Sequence, residues 1–130
     1  MSQNITRGIK FLIAEANKIT ETISIEKAQD LYKNEGYIFV DLRDIRELKR
    51  EGKIPGAFSC PRGMLEFWLD PESPYFKNGK LDMNKEMVLF CAGGLRSALA
   101  AKALKEMGFE KVSHIDGGFA AINQSDFKIV

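Results

Sequence analysis

The stretch Met87–Ala100 constrains the fold more than any other part of the chain. It begins as an apolar run, passes through a loop with one cysteine, two glycines and one arginine, and continues with a helical pattern of alanines and leucines. The run Val88–Phe90 predicts a strand that is buried on both faces. From Ser97 onward the apolar spacing predicts a helix. Cys91 therefore lies at the carboxyl end of a strand, where open α/β sheets bind ligands.

The loop between this strand and this helix favours an anion. Gly93 and Gly94 permit backbone angles that let successive N–H groups turn inward and form a concave nest for negative charge. The helix that follows adds the positive end of its dipole, and Arg96 adds a permanent cation. These groups favour a thiolate at Cys91, which makes it a candidate nucleophile. The alternative is a buried structural cysteine, but the double glycine and the arginine in register favour the functional interpretation.

Alternating strands and helices predict an α/β fold. A parallel sheet of about five strands, with helices on both faces, follows from this order. The N-terminal stretch 6–19 has apolar residues at helical spacing, which indicates an amphipathic helix that either binds a partner or packs on its own domain; we favour packing. Ser24 is a suitable N-cap for the second helix. The predicted strands are 22–25, 37–40, 57–60, 88–90 and 112–115.

Length and composition point to one domain over residues 1–130, with the N-terminal helical segment 1–22 packed on a core of residues 23–122. The net charge of +1 provides no strong field for nucleic acid or an anionic membrane, so neither is an expected partner. Two cysteines do not form a disulfide framework, and no secretory signal or membrane-spanning run is visible. We therefore expect a reducing, cytoplasmic location in which a free thiol survives.

Several ordered motifs resemble the rhodanese family, and in particular a bacterial single-domain subgroup. The reactive loop matches the family's C-x-x-G-x-R pattern, and the resemblance is strong over about residues 24–120. The motifs that carry it are Cys91-Ala-Gly-Gly-Leu-Arg96, Val40-Asp-Leu-Arg-Asp44, Glu47, Gly52-Lys-Ile-Pro-Gly-Ala57, Pro61-Arg-Gly-Met-Leu-Glu-Phe67, Asp70-Pro-Glu-Ser-Pro-Tyr75 and Gly117-Gly-Phe119. The resemblance implies a three-layer α/β sandwich around a central parallel sheet.

The activity implied by the resemblance is sulfurtransferase chemistry. Cys91 would take sulfane sulfur from thiosulfate or a related small-molecule donor, hold it as a persulfide, and pass it to cyanide or a thiol acceptor. The backbone N–H groups of residues 92–97 would stabilise the thiolate and the persulfide. Arg96 would bind donor oxygens or brace the loop, and Ser97 could donate to the thiolate. The expected substrate-binding set is Ala92, Gly93, Gly94, Leu95, Arg96, Ser97 and Arg62, with no metal and no organic cofactor.

Two alternatives to this enzyme remain. A persulfide carrier or regulatory module that serves a protein partner is the main one, although regulatory modules usually lose the cysteine. Cysteine-dependent phosphatases and arsenate reductases use a related loop with one more residue between cysteine and arginine. The four residues of Ala92–Leu95 make a tighter nest, which suits a sulfur atom better than a phosphate ester.

Outside the loop, several residues have competing interpretations. Asp41, Arg43 and Glu47 are either acid–base groups or an ion-pair cluster that anchors the turn after a strand; the resemblance implies the cluster. Cys60 is either a resolving thiol or, as we favour, a buried inert cysteine. Arg62 is either a surface charge or a second cation at the pocket mouth.

His114, the single histidine, suggests a Cys–His pair. A position in a strand interior places it away from the loop unless the sheet brings it back. The polar segment 70–84 is too long for a tight connection and predicts a surface excursion, either a lid over the site or an idle loop.

Overall fold

Six α-helices alternate with five β-strands along residues 2–130, the part of the chain that the computed structural model describes. The helices are α1 (Ile9–Ile19), α2 (Ile25–Tyr32), α3 (Ile45–Glu51), α4 (Leu65–Leu69), α5 (Leu95–Glu106) and α6 (Gly118–Asn123), with a 3-10 turn over Arg62–Met64 before α4. The strands are β1 (Glu21–Ile23), β2 (Tyr37–Asp41), β3 (Phe58–Ser59), β4 (Glu86–Phe90) and β5 (Val112–Ile115). The α/β class predicted from the sequence is confirmed.

The strands form one parallel sheet in the order β1-β5-β4-β2-β3. β4 lies at its centre, and Met87–Phe90 are all buried, as predicted for a strand covered on both faces. Met87 and Leu89 join the apolar cluster on one face, whereas Val88 and Phe90 join the cluster on the other. This alternation sends the next side chain, Cys91, to the same face as Leu89.

Helices cover both faces, which gives the three layers. On the Cys91 face, Leu65 of α4 and Leu104 of α5 pack on the sheet, and α1 packs on α5 with Ala16 fully buried between them. On the opposite face, Leu31 of α2 and Ile122 of α6 pack against the sheet. The amphipathic N-terminal helix therefore covers α5.

The strand order reverses direction between β2 and β4. The chain leaves β2 toward β3 at one edge, and it leaves β4 toward β5 on the other side, so the following helices α3 and α5 diverge to opposite faces. Such a switch point opens a crevice at the carboxyl ends of the two strands. The loop that contains Cys91 occupies this position.

Some helices begin at residues other than those predicted from the sequence. α1 begins at Ile9 rather than Thr6, and α5 begins at Leu95 rather than Ser97. Ser24 caps α2 as predicted, because its hydroxyl accepts the N–H of Lys27 at 3.1 Å. The helix α3 was not predicted from the sequence.

The segment 70–84 contains no helix or strand and is largely exposed, as the sequence predicts. The two interpretations of this segment, a lid over the site and an idle loop, both stay predictions. Across residues 2–130, every helix is too short or too polar to cross a membrane.

Candidate active site

Cys91 lies at the end of β4 with only 1% of its surface exposed. Its sulfur accepts the N–H of Gly94 at 3.1 Å and lies 3.7 Å from the hydroxyl oxygen of Ser97. Gly94 adopts a left-handed conformation with φ +101°, which a residue with a side chain would rarely adopt. The glycine therefore allows the chain to fold back over the sulfur and to begin α5 at once.

The loop aims polar groups at the sulfur from two directions. Within residues 2–130, the N–H of Gly94 is the one backbone donor to Cys91 Sγ, and the Ser97 hydroxyl approaches from the first turn of α5. Gly93 and the side chain of Leu95 are exposed on the outer side of the loop, Leu95 by 58%. The inner side of this loop can therefore stabilise negative charge on sulfur, while its outer side faces solvent.

His114 is brought back to the loop by the sheet. Parallel pairing places it beside Leu89 on one side and Thr22 on the other. Its Nδ1 lies 3.0 Å from Ser97 Oγ, and its Nε2 lies 3.0 Å from Thr22 Oγ1 and 3.3 Å from Asn17 Oδ1. The expectation that a strand interior would keep His114 away from the loop is therefore corrected. Burial lowers the pKa of His114 below its ordinary value, which favours the neutral ring.

Arg96 is held by Glu47 across the crevice. Both terminal nitrogens of its guanidinium donate to the Glu47 carboxylate, at 2.8 and 3.0 Å. The same carboxylate accepts the N–H of Asp44 at 2.8 Å, and Asp44 in turn caps α3, which completes a capping box. Because Arg96 is cationic and donates two hydrogen bonds, it lowers the pKa of Glu47, and Glu47 raises the pKa of Arg96. The geometry favours the bracing role of Arg96.

Asp41 and Arg43 form a buried ion pair after β2, which fits the structural role that the resemblance implied for them. Glu47, the third residue of the expected cluster, makes its ion pair with α5 instead. The guanidinium of Arg43 donates to both carboxylate oxygens of Asp41, at 3.0 and 2.8 Å, and to the carbonyl of Gly52. Its carbon Cζ lies 3.7 Å from the centre of the Phe119 ring. Asp41 ends β2 and Phe119 lies in α6, so this cluster ties the two together.

α6 holds the backbone of the reactive loop. The N–H of Phe119 donates to the carbonyl of Cys91 at 2.7 Å, and the N–H of Ala120 donates to the carbonyl of Ala92 at 3.0 Å. Gly118 comes so close that a Cβ there would lie 2.4 Å from the Cys91 carbonyl oxygen. The glycine pair near the C-terminus therefore serves the loop directly.

The remaining two candidates are Cys60, in the same apolar cluster as Cys91, and Arg62. Cys60 is fully buried, and burial raises the pKa of its thiol to about 12, which makes it unreactive at neutral pH. Arg62 donates to Glu66 at 2.7 Å in a partly exposed ion pair. Its proposed place at the pocket mouth stays a prediction.

Thr22 and Asn17 belong to the site although sequence reasoning did not select them. Only the pairing of β1 with β5 and the packing of α1 bring them to His114, and no local motif signals this. Glu47 had a usable signal, because Asp44 and Glu47 have the spacing of a capping box just before a helix. Its contact with Arg96, 49 residues away, follows only from the fold.

Residues 24–125 match the family described as Rhodanese-like domain. The chain belongs to this family. The resemblance drawn from the sequence motifs is thereby confirmed, and the rhodanese-like match includes β2 to β5, the Cys91 loop and α6.

Two relatives of this rhodanese-like chain are named for sulfur chemistry. Thiosulfate sulfurtransferase GlpE of Shewanella oneidensis is 29% identical over 80% of this chain and 93% of the relative. Putative sulfur carrier protein YrkF of Bacillus subtilis is 32% identical over 88% of this chain, but this chain spans only 56% of that relative. Together with the family match, they support sulfurtransferase or persulfide-carrier activity at the level of the family.

One solved structure is similar over the whole rhodanese-like chain. It is a protein of unknown function from Rhodopseudomonas palustris CGA009, described as a possible tyrosine phosphatase. It is 52% identical, covers 100% of this chain and 99% of its own, and superposes with a TM-score of 0.92.

Proposed function

We propose that the protein moves sulfane sulfur from thiosulfate, or a related small anionic donor, to a thiol or cyanide through a persulfide on Cys91. The observation that carries the proposal is the hydrogen bond from the Gly94 N–H to the Cys91 sulfur, at 3.1 Å, at the start of α5. The name of the GlpE relative supports the choice of donor. Two free cysteines fit a reducing compartment such as the cytoplasm.

The reaction is a double displacement at one sulfur atom. The Cys91 thiolate attacks the outer sulfur of thiosulfate, a new S–S bond forms, and the original S–S bond breaks as sulfite leaves with the electron pair. The acceptor then attacks the terminal sulfur of the persulfide and releases the Cys91 thiolate. Gly94 and Ser97 stabilise the sulfur anion that is present before the first step and after the second. Because both half-reactions use one site, ping-pong kinetics follow.

A persulfide carrier is the second candidate. The exposed Leu95 side chain at the outer edge of the loop, beside an apolar groove lined by Ile9 and Ile13 of α1, gives a protein acceptor something to contact. The name of the YrkF relative points the same way. A carrier would turn over slowly with small acceptors and transfer rapidly to its protein partner.

Phosphate-ester hydrolysis is the third candidate, since the Rhodopseudomonas palustris neighbour is described as a possible tyrosine phosphatase. The loop Ala92–Leu95 argues against it, because its four residues enclose the sulfur closely. Sulfur transfer therefore remains the proposal.

Intact-mass analysis after exposure to thiosulfate tests the chemistry. We expect the protein to gain one sulfur atom, which peptide mapping locates on Cys91, and to lose it when cyanide is added. Cys91→Ser abolishes both the gain and the thiosulfate:cyanide activity. Cys60→Ser, the matched control, keeps most of the activity because that thiol is buried and protonated.

The outcomes separate the three candidates. Substantial turnover by Cys91→Ser would show that the nucleophile is wrong. A stable persulfide with slow turnover would favour the carrier, and hydrolysis of an aryl phosphate without any sulfur gain would favour the phosphatase.

A further inference from the structure

We propose that His114 is a positioning residue for the sulfur chemistry: it holds the Ser97 hydroxyl on the Cys91 sulfur and links that sulfur to solvent through Thr22. The inference rests on the proposed function in that Cys91 must become a thiolate there. It assigns a role to a buried group that the sulfur-transfer steps above do not use.

A continuous line of polar atoms carries the proposal. From the sulfur it runs 3.7 Å to Ser97 Oγ, then 3.0 Å to His114 Nδ1, and from His114 Nε2 another 3.0 Å to Thr22 Oγ1. Cys91, Ser97 and His114 are buried, whereas Thr22 is exposed. The line therefore connects the most buried part of the site with the surface beside α1.

Ser97 has a single hydroxyl proton, and three neighbouring atoms can accept a hydrogen bond from it. These are the Cys91 sulfur, His114 Nδ1, and the carbonyl of Gly94 at 3.2 Å. If His114 carries its proton on Nδ1, it donates to Ser97 Oγ, and the serine proton is free to point at the sulfur. If His114 carries its proton on Nε2, its Nδ1 accepts a hydrogen bond from the Ser97 hydroxyl, and the serine proton then points away from the sulfur. The tautomer of His114 therefore decides whether Ser97 stabilises the anion.

When the Cys91 thiolate forms, His114 changes from the Nε2–H tautomer to the Nδ1–H tautomer. The thiol proton moves to Ser97 Oγ as the serine proton moves to His114 Nδ1, and the Nε2 proton moves to Thr22 Oγ1, whose own proton passes to water. One proton leaves the sulfur and one reaches solvent, while the imidazole is neutral before and after. Thr22 can then donate to Nε2 and stabilise the Nδ1–H form that the thiolate requires, whereas the Oδ1 of Asn17, an acceptor 3.3 Å from Nε2, stabilises the Nε2–H form that is present with the thiol.

The surroundings of His114 favour this neutral exchange. The groups that face the ring are Ser97 from α5, Thr22 from β1 and Asn17 from α1, all of them uncharged. Asp116, just after β5, is the charged residue whose field reaches the ring, and burial outweighs it, so that the pKa of His114 is lowered. An imidazole that stays neutral can pass a proton on without becoming a buried cation.

The test is a pH titration of the Cys91 thiolate by its far-ultraviolet absorbance, with Cys91→Ser as the blank. Cys60 does not interfere, because its pKa is about 12. We expect His114→Leu and Ser97→Ala each to raise the titration midpoint by about one to two pH units, the cost of losing a hydrogen bond to a charged group. The double variant moves no further than Ser97→Ala, because both changes remove the same hydrogen bond.

Conservative variants separate positioning from packing. His114→Asn keeps an N–H near the place of Nδ1, and we expect it to restore the wild-type midpoint. Ser113→Ala, which changes the adjacent buried residue of β5, leaves the midpoint unchanged. Thr22→Val, at an exposed site, raises the midpoint less than His114→Leu does and keeps the proposal testable if the leucine variant does not fold.

Three results would overturn the inference: an unchanged midpoint in His114→Leu, equal shifts in His114→Leu and His114→Asn, or additive shifts in the double variant. For a leucine variant that does not fold, an unchanged midpoint in Thr22→Val would do the same. The measurement needs no sulfur donor. If the midpoints move as expected and Cys91 gains no sulfur from any donor, the proposed function fails and the positioning role stands.

Discussion

At the scale of single residues, Arg96 and Glu47 form the contact that joins the reactive loop to α3. We predict that Arg96→Lys lowers sulfur-transfer turnover about tenfold, because a lysine cannot reproduce the two parallel hydrogen bonds and one charge-assisted bond contributes roughly 1.5 kcal/mol. Glu47→Gln gives a comparable loss if Arg96 acts by bracing the loop. Steady-state thiosulfate:cyanide kinetics measure both variants.

Arg46→Lys is the matched control for this pair. Arg46 also donates twice to a carboxylate, that of Asp44, but its side chain is 83% exposed, and an exposed pair contributes little. We expect its turnover to equal that of the wild type. Normal turnover in Arg96→Lys would mean that the ion pair is peripheral. A loss in Arg96→Lys without a loss in Glu47→Gln would assign Arg96 to the donor oxygens instead.

At the scale of secondary-structure elements, α6 determines the shape of the reactive loop. We predict that Gly118→Ala both destabilises the fold and sharply lowers activity, since the new Cβ would lie 2.4 Å from the Cys91 carbonyl oxygen at a φ of +56°. The positive φ alone costs about 1–2 kcal/mol. Thermal unfolding and turnover are the measurements.

Gly79→Ala separates backbone strain from the steric contact. Gly79 has a φ of +75°, but nothing lies within 4 Å of the position that a Cβ would take there, and the residue belongs to the exposed segment 70–84. We expect a smaller loss of stability and normal activity. Equal effects of the two substitutions on both measurements would show that α6 does not shape the loop.

The sequence predicted some strands and site residues correctly and left others unpredicted. The Met87–Phe90 run was sufficient, because a short apolar run between a charged residue and a glycine-containing loop fits a strand that is covered on both faces. The strand at 112–115 was also predicted correctly, although half of its residues are polar. α3 was missed because its residues 45–51 are mostly charged, and only the capping box at its start indicates a helix. Cys91, Arg96 and Ser97 lie within one local motif and could be selected, whereas Thr22 reaches His114 only through strand pairing.

At the scale of the whole molecule, two groups should make the free energy of unfolding depend on pH, and the two losses of stability should begin at different pH values. Burial lowers the pKa of His114 below its ordinary 6.5, so the unfolded chain binds that proton more tightly. Folding stability then rises with pH in this range, and it is lost as the pH falls from about 6.5 toward the folded-state pKa. Arg96 lowers the pKa of Glu47 below its ordinary 4.5, so this second contribution is lost only as the pH falls below about 4.5.

Each of two single variants should abolish or weaken one of these pH-dependent losses of stability. We predict that His114→Asn abolishes the loss of unfolding free energy that begins as the pH falls through about 6.5 and keeps the loss that begins at about pH 4.5. Glu47→Gln weakens the second loss and keeps the first. Urea unfolding across this pH range, followed by circular dichroism, gives the free energies. A wild-type protein whose stability is flat between about pH 7 and pH 5.5 would mean that protonated His114 is as well accommodated in the fold as in the unfolded chain. The fold would then tolerate a positive charge on the buried ring of His114. A protonated imidazole could carry a proton from the Cys91 sulfur to solvent, in addition to the neutral exchange of tautomers.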